Sequence, residues 1–377
     1  MTRPVTPYSG LPDHCYWSRS HRGVAPGQID PVVRGGFTLT PGMKIATAGS
    51  CFAQHIARHL QGQGYNYLVT EAAHPVISAE VARSFGYGVF TARYGNLYTA
   101  RQLLQLARRA RGEFTPAEDA WEDADGRLID PFRPNVQPGG FASRAEFDRA
   151  REVHFEAVRR MMAEADVFVF TFGLTEGWRS RRDGAVFPLA PGVAGGAFDP
   201  EAHEFVNFTV AETVADFTEF VGLMREVNPG VRVLMTVSPV PLIATAREDE
   251  SVIAATAYSK SVLRVACEEL RTALPDCHYF PSYEVITGNY ARGAYYGPDL
   301  REVEAAGVAH VMRLFMTHYT DAPPPEAPPA PVAAPVAAGT AAGEPGAAAS
   351  AADRAAFKDR IARALEVVCD EEMIDRP

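Results

Sequence analysis

Cysteine is scarce in this chain and scattered. The 377 residues hold five, Cys15, Cys51, Cys267, Cys277 and Cys369, with no CxxC spacing. That excludes a disulfide frame and points to reduced thiols in a cytoplasmic protein. Positive charge is also short: 36 Lys and Arg against 46 Asp and Glu give a net charge of −10 and a pI near 5.5. A field of that sign excludes nucleic acid as the main partner, since phosphate binding needs a basic surface. The one basic cluster, ARRARG at 107–112, falls on a predicted helix and reads as a solvated face. The opening MTRPVTPYSGLPDH lacks the apolar core of an export signal, and no run of about 18 apolar residues suggests a membrane span. The ten histidines show no metal-ligand spacing apart from His55 and His59, one helical turn apart with no third ligand identified, so neither metal nor cofactor is expected.

Apolar residues are plentiful at 47%, enough for a sizeable core. Strand-like runs occur at IATA (45–48), ADVFVFTFG (165–173) and VRVLMTVSPVPL (231–242), with a fourth at CHYFPSYEVI (277–286). Helical patterns lie between them. Near-continuous apolar strands alternating with helices predict a parallel sheet covered on both faces. Two Asp-Gly pairs, Asp125-Gly126 and Asp183-Gly184, sit between strand-like flanks and predict hairpins. The second hairpin either overhangs the strand ending at Gly173 as a lid or covers core. Residues 1–40 read as an irregular arm, 41–319 as the main domain and 320–352, rich in proline and alanine, as a spacer. Residues 353–377 carry an apolar stripe (Phe357, Ile361, Leu365, Val368) and predict an amphipathic helix. That helix either docks on its own body or binds a partner or a second copy.

The stretch KIATAGSCFAQHIARHL (44–60) places Gly49 and Ser50 between strand end and helix start. There an α/β fold presents backbone N–H groups and a reactive side chain to a ligand. The loops at 171–176 and 238–241 and the start of a last helix in 295–312 should meet it on the same sheet edge. The hydroxyl of Ser50 is therefore expected at the mouth of a crevice. Ser259-Lys260 raises the possibility of a Ser-Lys dyad, but reads as an ordinary cap at a helix start. Cys51, in the first helical turn, reads as packing more than as a reactive thiol.

GSCFA at 49–53 is the motif after which the GSCFA-domain family is named, and YGNLYTARQLLQL (94–106), FTFGLTEGW (170–178), TVSPVPL (236–242), YSKSVLRVA (258–266) and SYEVITGNYARG (282–293) resemble further blocks of it. That family is similar to the SGNH/GDSL hydrolases, which implies a flavodoxin-like α/β/α sandwich with hairpin insertions and a serine nucleophile. Carried over by position, the resemblance assigns Ser50 as nucleophile and Asp299 as the acid of the last block. Gly95, Asn96 and Gly173 become oxyanion groups, with Thr175 where the hydrolases carry asparagine and Glu176 and Trp178 beside it. The expected histidine three residues past Asp299 is Glu302. A serine hydroxyl needs a base to take its proton, and a carboxylate serves only if its pKa is raised. The implied function is a serine esterase or O-acyltransferase. Trp178, Tyr295 and Tyr296 suit a small polar or carbohydrate ester as substrate. The competing class is a binding module on a degenerate hydrolase scaffold.

Overall fold

The computed structural model describes residues 6–321 and 369–375. Its central sheet has four parallel strands, β1 (Ile45–Gly49), β4 (Val167–Phe172), β8 (Arg232–Val237) and β9 (Cys277–Tyr279), in the order β1-β4-β8-β9. Ile45 pairs with Val167 and Val167 with Arg232, so the strands run in step and their C-terminal ends share one edge.

Side chains of a strand alternate between faces, and the sequence uses both faces for core. Phe168, Phe170 and Phe172 join Ala46, Ala48, Val233 and Met235 on one face. They pack under α4 (Ala100–Ala110), α5 (Arg144–Glu164), α6 (Val210–Val227) and α7 (Val252–Ala273). Val167, Val169, Ile45 and Leu234 face the other way, against α2 (Ala53–Gly62) and α9 (Ala305–Tyr319). The result is the expected three-layer α/β/α sandwich. Each fully buried phenylalanine contributes about 2–3 kcal/mol. The Phe170–Phe172 and Phe172–Phe217 ring pairs, 4.8 and 4.9 Å apart, add edge-on and tilted contacts to that burial.

Helix starts are chemically marked. Thr99 and Gln102 form a capping box at α4, Thr209 and Glu212 another at α6, and the Ser251 hydroxyl caps α7. The remaining helices are short: α1 (Trp17–His21), α3 (Ala79–Ser84) and α8 (Ser282–Thr287). Where the strand runs of the sequence extend too far, proline explains it. The third strand ends at Val237, before Pro239 and Pro241. The fourth ends at Tyr279, because Pro281 precedes the first turn of α8.

Both Asp-Gly hairpins form. β2 (Trp121–Glu122) pairs with β3 (Leu128–Ile129). The second, β5 (Glu176–Ser180) with β6 (Val186–Phe187), gains an unforeseen third strand, β7 (His203–Asn207). The 107–112 cluster is not simply a solvated face. Arg108 and Arg111 pair with Glu219 and Glu226, while Arg109 is buried with its guanidinium 3.7 Å from the Phe132 ring centroid.

Residues of the first forty lie along α9. Leu39 N donates to Tyr319 O, His310 Nε2 contacts the Ile29 carbonyl at 2.8 Å, and Arg313 donates to the Gly27 carbonyl. No helix among the described residues is long and apolar enough to cross a membrane. The expected helix over 353–377 lies outside the described residues as far as 368; residues 370–373 form a 3₁₀ turn.

Candidate active site

The turn from β1 into α2 is fixed by Gly49. Its φ is +130°, and a Cβ there would stand 2.3 Å from the Thr171 carbonyl oxygen, so only glycine fits. Ser50 N donates to that same carbonyl at 3.0 Å, and Gly49 O accepts from Leu97 N at 2.9 Å. The serine is thereby clamped between the ends of β1 and β4, where the apolar strand and helical spacing place it.

Its hydroxyl is not at a crevice mouth, as expected, but buried. Ser50 is 2 % exposed, and Oγ has no hydrogen-bond partner among the described residues. A buried hydroxyl without a partner forgoes a hydrogen bond it had in water, a cost of about 1–3 kcal/mol, and such groups gather at functional sites. Gly173 is the nearest landmark: a Cβ on it would lie 3.0 Å from Ser50 Cβ and 3.0 Å from the Tyr98 ring.

Lys260 reaches the carbonyl of Gly173. It is one of three lysines in the chain. It is 2 % exposed and donates from Nζ to the Gly173 carbonyl at 2.5 Å. Burial pushes its pKa down to about 8, against the opposing charge of Glu371. The cap reading of Ser259-Lys260 requires α7 to start near them, and it does not. The helix begins eight residues earlier, at Val252, and Lys260 stands two turns in. The missed signal is its phase, since Lys260, Leu263, Cys267 and Leu270 are all buried and share one helical stripe.

The other expected residues divide. Asn96 is buried beside Gly95, which holds φ +69°; its backbone N–H and Nδ2 both donate to the Asp370 carboxylate, at 3.4 and 3.0 Å. Asn96 is thus a pair of donors aimed at an anion. The N–H of Gly173 instead donates to Tyr98 O at 2.9 Å, so it is committed to the fold in this state. Thr175 is likewise engaged, N to Ser259 Oγ at 2.9 Å and Oγ1 to Asn207 at 2.6 Å, holding the start of the hairpin sheet. Glu176 accepts from Thr245 Oγ1 at 3.0 Å, and its burial raises its pKa; Arg179 pairs with Glu204 instead.

The aromatics expected to suit a sugar are each engaged within the fold. Trp178 packs on Phe198 and Phe205 within the hairpin sheet, and Tyr295 is buried with its OH on His310. Tyr296 donates to the Pro239 carbonyl, tying two of the convergent loops together.

Asp299 and Glu302 are exposed, and Asp299 spends its carboxylate on the N–H groups of Arg301 and Glu302. It caps that turn; α9 starts later, at Ala305. The turn reaches the site through Arg301, whose side chain is 12 % exposed and pairs with Glu371 at 2.7 Å. Cys51 is buried with its thiol hydrogen-bonded to that of Cys369. His203 contacts Glu118 under the hairpin, and His310 anchors the arm. Neither approaches as a base. No cluster of three or more metal-ligating side chains occurs among the described residues.

Sequence reasoning could not find Asn135, Cys369, Asp370 and Glu371, because nothing local links positions more than two hundred residues apart.

With this geometry in view, comparison with known proteins adds the family. The model of the GSCFA family matches residues 44–315, and the chain belongs to that family. Among solved structures, a family 3 carbohydrate esterase of Clostridium thermocellum is 9% identical. The match covers 74% of this chain and 94% of that one at a TM-score of 0.31. A mutant acetyl esterase with acetate ion is 11% identical, covering 71% and 92% at 0.29. Likenesses this weak say nothing of what the site does. No curated protein matches the chain.

Proposed function

We propose that the protein is a serine-dependent esterase or O-acyltransferase acting on a small polar ester, with Ser50 as nucleophile and Lys260 as general base. The observation that carries this reading is the pairing across Gly173 of an unpartnered, buried hydroxyl with a buried amine whose pKa lies close to neutrality. A base is most effective when its pKa is near the working pH. Asp299 and Glu302, the bases the family resemblance suggests, are solvated and hydrogen-bonded to their own turn.

In the proposed reaction neutral Lys260 takes the proton of Ser50 as Oγ adds to the ester carbonyl. Asn96, through its N–H and Nδ2, stabilises the charge that develops on the carbonyl oxygen. Collapse of the tetrahedral intermediate expels the alcohol, which leaves with the proton from Lys260. Water or an acceptor alcohol then loses its proton to Lys260 and attacks acyl-Ser50, giving acid or transferred ester and restoring the serine.

A binding module without turnover is the second reading. It is favoured by the burial of Ser50 and by the two side-chain carboxylates seated at the site. A fluorophosphonate probe separates the two. Covalent labelling that Ser50→Ala abolishes supports the enzyme; silence at millimolar probe in every variant supports the binder.

A further inference from the structure

A segment of the chain's own C-terminal region occupies the site. After Asp321 the described structure resumes at Cys369, and residues 369–371 contact Cys51, Asn96 and Tyr98. Asp370 is 3 % exposed, with Oδ2 on Asn96 N and Nδ2 and Oδ1 on Asn135 Nδ2 at 2.6 Å. Glu371 is 6 % exposed; its carboxylate pairs with Arg301 and feels the charge of Lys260, and its N–H donates to the Tyr98 hydroxyl at 3.3 Å. Cys369 lays its thiol on Cys51.

Burying two adjacent carboxylates is expensive unless donors are waiting for both. Here Asp370 accepts from two asparagines, and Glu371 pairs with Arg301 in the field of the Lys260 charge. Those partners come from parts of the chain distant in sequence: the loop before α4, the 133–136 segment, α7 and the turn before α9. The asparagine side of this set, with Asp370, borders a cavity of about 90 Å³ also lined by Gln54, Arg83 and Arg93.

We propose that the cleft beside Ser50 is a receptor for a pair of neighbouring carboxylates, which the chain's own Asp370 and Glu371 fill in the resting protein. The ligand it takes in their place is a dicarboxylic acid or an acidic peptide, two sources of one chemistry. This inference deepens the proposed function by naming the substrate class of that site, and it rests on that reading for its catalytic meaning only. The tail acts as a tethered competitor, so its release uncovers Ser50 and frees Lys260 from the neighbouring anion.

The test uses the full chain in reducing buffer, as wild type and as the double variant Asp370→Asn/Glu371→Gln. Binding of an acetylated, amidated peptide of residues 369–375 is measured by calorimetry. The variant is expected to bind it at least about tenfold more tightly than wild type, whose tethered tail competes at high effective concentration. The same peptide with asparagine and glutamine in its second and third positions should not bind. Glutarate displacing the peptide identifies free dicarboxylic acids as ligands; failure to displace restricts the receptor to the peptide. Equal binding by wild type and variant, or none by either, overturns the proposal. A receptor-side variant, Arg301→Gln with the tail intact, guards against misfolding of the first. It should not bind the peptide, yet should label with fluorophosphonate about tenfold faster than wild type. Labelling at one rate in all three chains also overturns the plug. If peptide binding behaves as expected but no chain labels, the receptor stands and the catalytic reading falls.

Discussion

At the scale of single residues, the proposed reaction rests on Lys260 and Asn96. Lys260→Met removes the proposed base while keeping an unbranched side chain in a buried slot. Acylation of Ser50 should fall roughly 100- to 10,000-fold, with far-UV circular dichroism unchanged. Asp299→Asn and Glu302→Gln should each leave it within about threefold, because both carboxylates sit in solvent and serve only their own turn. The sign of the pH effect follows from Lys260. Burial lowers its pKa to about 8, the neutral amine is the active form, and acylation should rise with pH up to about 8 and level off above it. Asn96→Ala should cost about 100-fold in turnover, the usual loss for one oxyanion donor. Ser50 was legible because a short apolar strand meets helical spacing at that point. Lys260 was not, because a serine just before it resembles a helix cap, and only the true start at Val252 puts the lysine on a buried stripe.

At the scale of elements, the elbow between β1 and α2 sets the geometry. Gly49→Ala would drive a methyl into the Thr171 carbonyl and hold alanine at φ +130°. A loss on the order of 3 kcal/mol or more is expected, measured by urea unfolding. Gly173→Ala meets Ser50 Cβ and the Tyr98 ring at 3.0 Å and Tyr98 Cα at 3.2 Å, looser than the 2.3 Å at Gly49 and without its positive φ. Its stability cost should be smaller than at Gly49, while labelling of Ser50 should be lost. The strands were readable because both their faces are buried, leaving long apolar runs. β7 was not: its residues His203–Asn207 alternate weakly, and only pairing with β5 makes them a strand.

At the scale of the whole molecule, two buried features tie distant parts together. The first is Glu71 with His154, Nδ1 to Oε2 at 2.7 Å, joining α5 to the segment after α2. Burial pushes His154 down to about 4. Glu71, despite its own burial, is held down to about 2 by His154, Arg133 and the Arg93 N–H. At neutral pH the imidazole is uncharged and the anion rests on Arg93 and Arg133. Both folded pKa values lie below their unfolded ones. Stability is therefore full above about 6.5, declines as pH falls from there through 4, and declines again from 4.5 toward 2. The histidine step is worth on the order of 3 kcal/mol at most, and His154→Gln should remove it and shrink the carboxylate step, since His154 does most to hold Glu71 down.

The second feature is the tail in the cleft, which no local pattern announces, since 274 residues separate Asn96 from Asp370. The family blocks pointed to the loops around Ser50, and the tail supplies two carboxylates buried beside them.

The most direct measurement is intact-mass and peptide mapping after fluorophosphonate treatment of the Asp370→Asn/Glu371→Gln chain across pH 6 to 10. A single adduct on the peptide bearing Ser50 is expected, with a rate that rises with pH to a plateau reached at lower pH than in the wild-type chain, because the variant lacks the Glu371 charge that holds Lys260 protonated, and a Lys260→Met derivative that stays unlabelled. An adduct elsewhere, one that survives Ser50→Ala, or a rate indifferent to Lys260 would contradict the assignment of nucleophile and base.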